Sequence, residues 1–341
     1  MTAILIAATA AWRGDSRLER NSRVLITERN LVWDPEPSTV PGEVVRYGVD
    51  GVLVPGLVDH HVHIEQIDLA ELGASGLSEV VDLGGRPDEV FALRDRSRDD
   101  PDLPLVHAVG PFLTAPGGYL SDRKWAPAGT WTAIETEDDV LRAVARSAAR
   151  KAVAIKVVLH EDDPVALPIS LLRTLVNAAA GVGLPVVAHV EGRGQADRAI
   201  AAGIRRLAHT PWTHRLSHEV IALSAATMTW TSTLDVHSRG EATPEYATAL
   251  DNLRRFHAAG GRVQYGTDLG NGPLPVGVNA RELHALTEAG LTSVHILRAI
   301  CLSRTAVAVL PADPLMNPYL LSDIAATARV GRAVRLRSLS Q

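Results

Sequence analysis

The chain has 341 residues, of which 46% are hydrophobic, enough for a large core. Its 34 basic and 39 acidic residues leave a formal charge of -5, and no basic block or stripe interrupts that balance, which argues against nucleic acid as a partner. The one cysteine, Cys301, excludes an internal disulfide and a Cys-rich zinc module, and it fits a reducing compartment.

Residues 1–12 (MTAILIAATAAW) are apolar and rich in small side chains. They lack the basic residues that precede the apolar run of a signal peptide, so they read as a buried strand that opens the fold. No stretch approaches the roughly 18 uncharged apolar residues of a membrane helix. The expected location is the cytoplasm, with no membrane partner. Up to residue 54 the chain looks β-rich, with short apolar runs at 22–27 and 42–47 broken by Asn, Pro and Gly.

From Pro55 the pattern changes to short apolar runs alternating with longer helical stretches, the mark of βα units and a parallel sheet. The runs lie at 57–62, 79–83, 105–110, 153–159, 185–190, 205–209, 228–234 and 262–267. Between them, 137–150 carries Val140, Leu141, Val144 and Ala148 at helical spacing, and 169–180 and 244–259 behave likewise. Eight parallel strands with intervening helices predict a (β/α)8 barrel. An open doubly wound sheet would need a Gly-rich phosphate turn after its first strand, and none is there. The loop at 114–129 is long and rich in Gly and Pro, the kind of segment that shapes a substrate site. The segment 310–341 turns β-like again at 328–336 and could pair with the N-terminal strands.

Polar residues that can bind a metal fall at the predicted strand ends. In Asp59-His60-His61-Val62-His63, alternation turns His61 and His63 to one face and His60 to the other. A lone His-x-His is weak, since two hydrogen-bonded imidazoles explain it as well. Lys156 sits inside the apolar run Ala154–Val158, where burial favours the neutral amine. A neutral amine can take up carbon dioxide as a carbamate that bridges two cations; the plainer reading is a lysine paired with a buried carboxylate. His189, His209 and Asp268 each close another apolar run. Agreement between ligand type and fold position strengthens the set.

Pro55-Gly56-Leu57-Val58-Asp59-His60-His61-Val62-His63 resembles the opening strand of the amidohydrolase superfamily, in particular its imidazolonepropionase-like and prolidase-like branch. The resemblance continues through His189-Val190-Glu191-Gly192, Ala201-Ala202-Gly203 and Gly266-Thr267-Asp268. It implies a distorted (β/α)8 TIM barrel over 55–309, beside a small β-sandwich built from 1–54 and 310–341. It also implies a metal site of His61, His63, Lys156, His189, His209 and Asp268. His61, His63 and Asp268 would hold one ion, His189 and His209 a second, and carbamylated Lys156 would bridge them. One or two divalent ions are expected, with zinc the best match to these ligands. A metal-activated hydroxide would attack a C–N bond of a cyclic amide, dipeptide or N-acyl compound, with Asp268 as the proton shuttle.

Three departures limit what carries over. Relatives often place Gly-Gly-His in the loop after strand three, whereas here Gly117-Gly118 precedes Tyr119. The Gly-rich stretch before the closing strands is absent, which implies a trimmed sandwich. The segment with His214, His218, Asp235 and His237 matches no substrate motif. Tyr119, Arg193 and His237 are nonetheless candidate substrate contacts, each weighed against simple loop polarity. Asp59 could fix an imidazole tautomer or pack at a strand end. Competing readings are a lactone or phosphoester hydrolase on the same site and a catalytically silent metal-binding assembly protein. A small-molecule substrate is expected, and analogy to relatives suggests a homodimer or higher homo-oligomer.

Overall fold

The computed structural model describes residues 3–121, 123 and 126–330, and the backbone of 335–336. Met1 and Thr2 of the expected opening strand, three positions in the long loop and most of 331–341 lie outside the described residues.

Both ends of the chain contribute to one eight-stranded sheet. Its path runs from 335–336 through Ala326–Arg329, Ala306–Leu310, Val44–Pro55, Ala3–Ala11 and Arg23–Ile26 to Leu31–Trp33, and Glu19–Arg20 pairs with the first strand off this path. Val44–Pro55 is the hinge of the arrangement. It lies parallel to Ala3–Ala11, and its last residues pair antiparallel with Ala306–Leu310. Ile4, Ile6, Val24, Ile26, Leu53, Val307 and Val309 pack into a core of their own on this sheet.

The middle of the chain forms two parallel sheets. Val58–Val62, Glu79–Asp82 and Leu105–Ala108 make the smaller one. The larger runs Trp131–Ala133, Phe112–Thr114, Ile155–His160, Val186–Glu191, Arg206–Leu207, Thr229–Thr231 and Arg262–Gln264. Backbone hydrogen bonds join the sheets at both flanks. On one, His60 N donates to Tyr265 O, Asp268 N to His61 O and His63 N to Leu269 O; on the other, Val153 N donates to Ala108 O. The result is a barrel-like wall of parallel strands. Phe112–Thr114 and Trp131–Ala133, which flank the long loop, are additions to the eight expected runs.

Helices cover the outside of this wall. Glu137–Ala149 starts with a reciprocal cap between Thr136 and Asp139 and buries Val140, Ala143 and Val144. Leu141, expected on that face, is 52% exposed, because the buried stripe follows 140, 143 and 144. Ile169–Gly181 and Pro244–Ala258 occupy the other expected helical positions. Inside the strands, Leu83, Val109, Ala154, Val187 and Ala208 form a small apolar plug. Among the described residues, no helix is long and apolar enough to cross a membrane.

Candidate metal centre

The six residues with ligand-type side chains at the strand ends line one cavity of about 310 Å3, above the plug: His61, His63, Lys156, His189, His209 and Asp268. The first strand delivers two of them. A register shift between Asp59 and Val62 interrupts its alternation, so His61 and His63 face this cavity while His60 lines another at the opposite end. Asp268 follows the last strand at a positive φ of 61°, a conformation that short polar side chains tolerate and that redirects the carboxylate. Gly266, two residues earlier, permits the close approach: a Cβ there would stand 2.3 Å from Thr231 Cγ2 and 3.1 Å from His61 N.

His61, His209 and Asp268 are all buried and present ligand atoms within 4.8 Å of one another. Asp268 Oδ1 lies 3.1 Å from His61 Nε2 and 3.2 Å from His63 Nε2. Its other oxygen accepts from Asn271 Nδ2 at 2.8 Å. The outer nitrogens of the imidazoles are tied down. His61 Nδ1 meets Ala208 O at 2.8 Å and His63 Nδ1 meets Gly84 O at 2.8 Å. A carbonyl only accepts, so both rings carry their proton on Nδ1 and turn an Nε2 lone pair inward. His209 Nδ1 lies 3.0 Å from Thr233 Oγ1, a hydroxyl that can give or take the proton, so this contact holds the ring without choosing its tautomer. His61 Nε2 is buried without a hydrogen bond. A buried orphan lone pair beside a carboxylate is the geometry a divalent cation satisfies, so these residues fit one.

Protonation agrees with this fit for most of the set. Burial drives His61 and His209 well below the ordinary histidine range, despite the pull of Asp268. Burial would raise Asp268, but the surrounding His61, His63 and His209 hold it well below the usual carboxylate range. His63 is the exception. Burial opposes its charge, yet Asp268 and Asp82 outweigh that and raise its pKa. Lys156 makes no ion pair among the described residues; its Nζ sits 5.8 Å from the centre of the Phe112 ring. Burial brings its pKa down to about 7, opposed by the charges of Asp268 and Asp82. The expected alternative of a lysine ion-paired to a buried carboxylate is therefore not what the structure has.

His189 is held differently. Its Nε2 lies 3.0 Å from Glu191 Oε2, and Glu191 Oε1 lies 3.4 Å from His160 Nε2. His160 Nδ1 accepts from Asp162 N, which puts the His160 proton on Nε2, facing the carboxylate. Glu191 thus accepts from two imidazoles, and the His189 lone pair is left on Nδ1. Tyr119 closes this side. It lines the cavity and stacks on His160 at 4.8 Å and on His189 at 5.5 Å between ring centres. His160 and Glu191 were not among the expected site residues. The signal was present, since His160 shares the period-2 face of Lys156 and Val158.

Three candidate residues, each weighed against a plainer reading, lie outside the cavity lining. Arg193 is exposed and outside the cavity lining; its backbone N binds Glu161 Oε2. His237 and Asp235 lie on a short helix, Asp235–Ser238, rather than on a continued strand. His237 stacks on Trp212 at 4.6 Å and does not line the cavity, while Asp235 binds Asn279 and Arg281. Asp59 touches no imidazole. It accepts from His61 N, Thr267 N and Thr267 Oγ1, so it ties strand backbones together.

No protein-family model and no curated protein matches the chain. Solved structures do. A. niger ochratoxinase superposes with a TM-score of 0.78 at 20% identity, covering 97% of this chain and 95% of that one. A Xaa-Pro dipeptidase with bound methionine gives 0.79 at 16% identity, covering 98% and 100%. Molinate hydrolase gives 0.76 at 15% identity, covering 99% and 96%. At these identities the likeness establishes a shared fold, and it agrees with the resemblance to the amidohydrolase superfamily.

Proposed function

We propose that the chain is a metal-dependent hydrolase of the amidohydrolase superfamily that cleaves a C–N bond in a small cyclic amide, dipeptide or N-acyl compound. The observation that carries this reading is the convergence of His61, His209 and Asp268 to within 4.8 Å. The names of structural neighbours, a Xaa-Pro dipeptidase and molinate hydrolase among them, support it from a second direction. On this reading the parallel strands from Val58 to Gln264 belong to a distorted (β/α)8 barrel, and the single sheet built from both chain ends, which takes in Ala306–Leu310, stands where the small sandwich over 1–54 and 310–341 was expected.

His61, His63 and Asp268 would hold a divalent ion, zinc being best suited to imidazole and carboxylate ligands. His189 and His209 would hold a second, with carbamylated Lys156 between the two. When bound, such a cation supplies Lewis acidity to water and to a carbonyl oxygen. Asp268 is ionised and fixed by Asn271, so it can take a proton from water and return it to the leaving nitrogen. Tyr119, stacked on two imidazoles, offers a flat wall to the substrate.

The test combines metal analysis with a panel of cyclic imides, dipeptides, N-acyl amino acids, lactones and phosphoesters. One or two divalent ions per chain, with turnover of a C–N substrate that falls at least ~100-fold in Asp268→Asn, is the expected result. Less than one ion per chain in carefully purified protein would overturn the reading. Turnover confined to lactones or phosphoesters would move the activity to another bond on the same site.

A further inference from the structure

A second cavity, of about 240 Å3, opens at the other end of the parallel strands. His60, Glu79, His107, Arg206 and Gln264 line it, and Leu83, Ala154 and Val187 of the apolar plug separate it from the cavity of His61 and Asp268. A neighbouring cavity of about 390 Å3 shares Gln264 and Leu302 with it and adds Arg262, His257, His295 and Arg298. This is a concentration of basic side chains in a protein whose formal charge is -5.

Glu79 is the one carboxylate lining either cavity among the described residues. It is already engaged by His107 Nε2 at 2.7 Å, by Thr305 Oγ1 at 3.1 Å and by Ser303 Oγ. Arg298 is also engaged, donating to Gly14 O at 2.9 and 2.7 Å. Arg206 and Arg262 differ. Both stand at the register of Thr229, one on each neighbouring strand, so they share a face with Cα atoms roughly 10 Å apart. Neither makes an ion pair or side-chain hydrogen bond among the described residues, and both are exposed at the cavity mouths; partial desolvation first, and then the charge of Arg262, lower the pKa of Arg206.

We propose that this end of the molecule binds a small multivalent oxyanion, a phosphate group in its simplest form, between Arg206 and Arg262. Two guanidinium forks suit the several oxygens of such a group. Glu79 lines the Arg206 cavity with its oxygens turned to His107, Ser303 and Thr305, so the anion sits on the Arg262 side of it. The site is separate from the proposed metal centre and stands or falls independently of it.

The test is calorimetric titration of the metal-loaded protein with inorganic phosphate, and with phenyl phosphate as an organic monoester, at constant ionic strength set with chloride. Saturable binding with a rise in Tm is expected, and Arg206→Gln and Arg262→Gln should each weaken it at least tenfold. Arg142→Gln, on an exposed helix face, should leave it unchanged. Without phosphate, either cavity variant should be as stable as the parent or more so, since the repulsion is gone. Tighter binding of phenyl phosphate would identify the group as part of a metabolite, and tighter binding of phosphate a free ion. Equal phosphate binding by both arginine variants would place the anion elsewhere and overturn the proposal, as would a Tm rise that chloride reproduces.

Discussion

Asp59 Oδ2 accepts a 2.6 Å hydrogen bond from Thr267 Oγ1, while Asp59 Oδ1 accepts from the backbone N of both His61 and Thr267. The two bonds from Thr267 span 208 residues of sequence and lock the strand that carries His61 and His63 to the segment that carries Asp268. All of the partners are buried, so each bond is made where water cannot replace it.

Thr267→Val tests that lock. The substitution keeps the shape but removes the donor to Asp59 and the acceptor that Leu269 N uses at 3.1 Å. A loss of about 1–3 kcal/mol in urea unfolding is expected, together with weaker metal retention. Thr267→Ser should restore both. Stability equal to the parent in the valine variant would show that the hydroxyl carries no load.

Glu191→Gln tests how His189 is oriented. An amide can present its NH2 group to an imidazole nitrogen, which removes the preference for a proton on Nε2 and hence the lone pair on Nδ1. Metal affinity should fall about 10–100-fold in competition with a chromogenic chelator, with the far-UV spectrum unchanged. Unaltered affinity would remove Glu191 from the support of the site.

Lys156 separates a bridging role from a packing role. Lys156→Met keeps most of the buried stem and discards the amine. Metal content by mass spectrometry should drop, and protein refolded without carbon dioxide should show the same deficit until bicarbonate is returned. Full occupancy in the methionine variant would leave Lys156 as an apolar filler beside Phe112.

Glu282 makes stability depend on pH at a distance from the cavity. It is fully buried and accepts from Leu234 N at 3.0 Å and Asp235 N at 2.7 Å. Burial raises its pKa from 4.5 to about 7, against the hydrogen bonds that Ser232 and those backbone groups give it and with the Asp235 charge nearby. The folded state therefore holds the proton more tightly than the unfolded chain. Its contribution, about 3 kcal/mol as an order of magnitude, is complete below about pH 4.5 and is lost as the pH rises through about 7. Urea unfolding across that window should show this decline in the parent and a flatter profile in Glu282→Gln. Parallel profiles would assign the slope to other groups.

What could be read along the chain were the features with a local cause. The change of period at Pro55 marked the parallel strands, and apolar runs ending in His, Lys or Asp marked the candidate ligands. The spacing of His61 and His63 followed from the strand repeat. The features that escaped this reading depend on neighbours far away in sequence or on breaks in the repeat. Alternation alone put Asp59 with the imidazoles, but a register shift turned it to Thr267. His237 lies just past an expected strand, and the chain there turns into a short helix. Arg193, a candidate substrate contact weighed against loop polarity, is left in solvent by its place after the strand. The Glu191 bridge between His160 and His189, and the pair of arginines flanking Thr229, arise only where adjacent strands are laid side by side. Residue type and period act over a few positions and leave their trace in sequence; hydrogen bonds and charge contacts between strands act through space, and only the folded chain decides them.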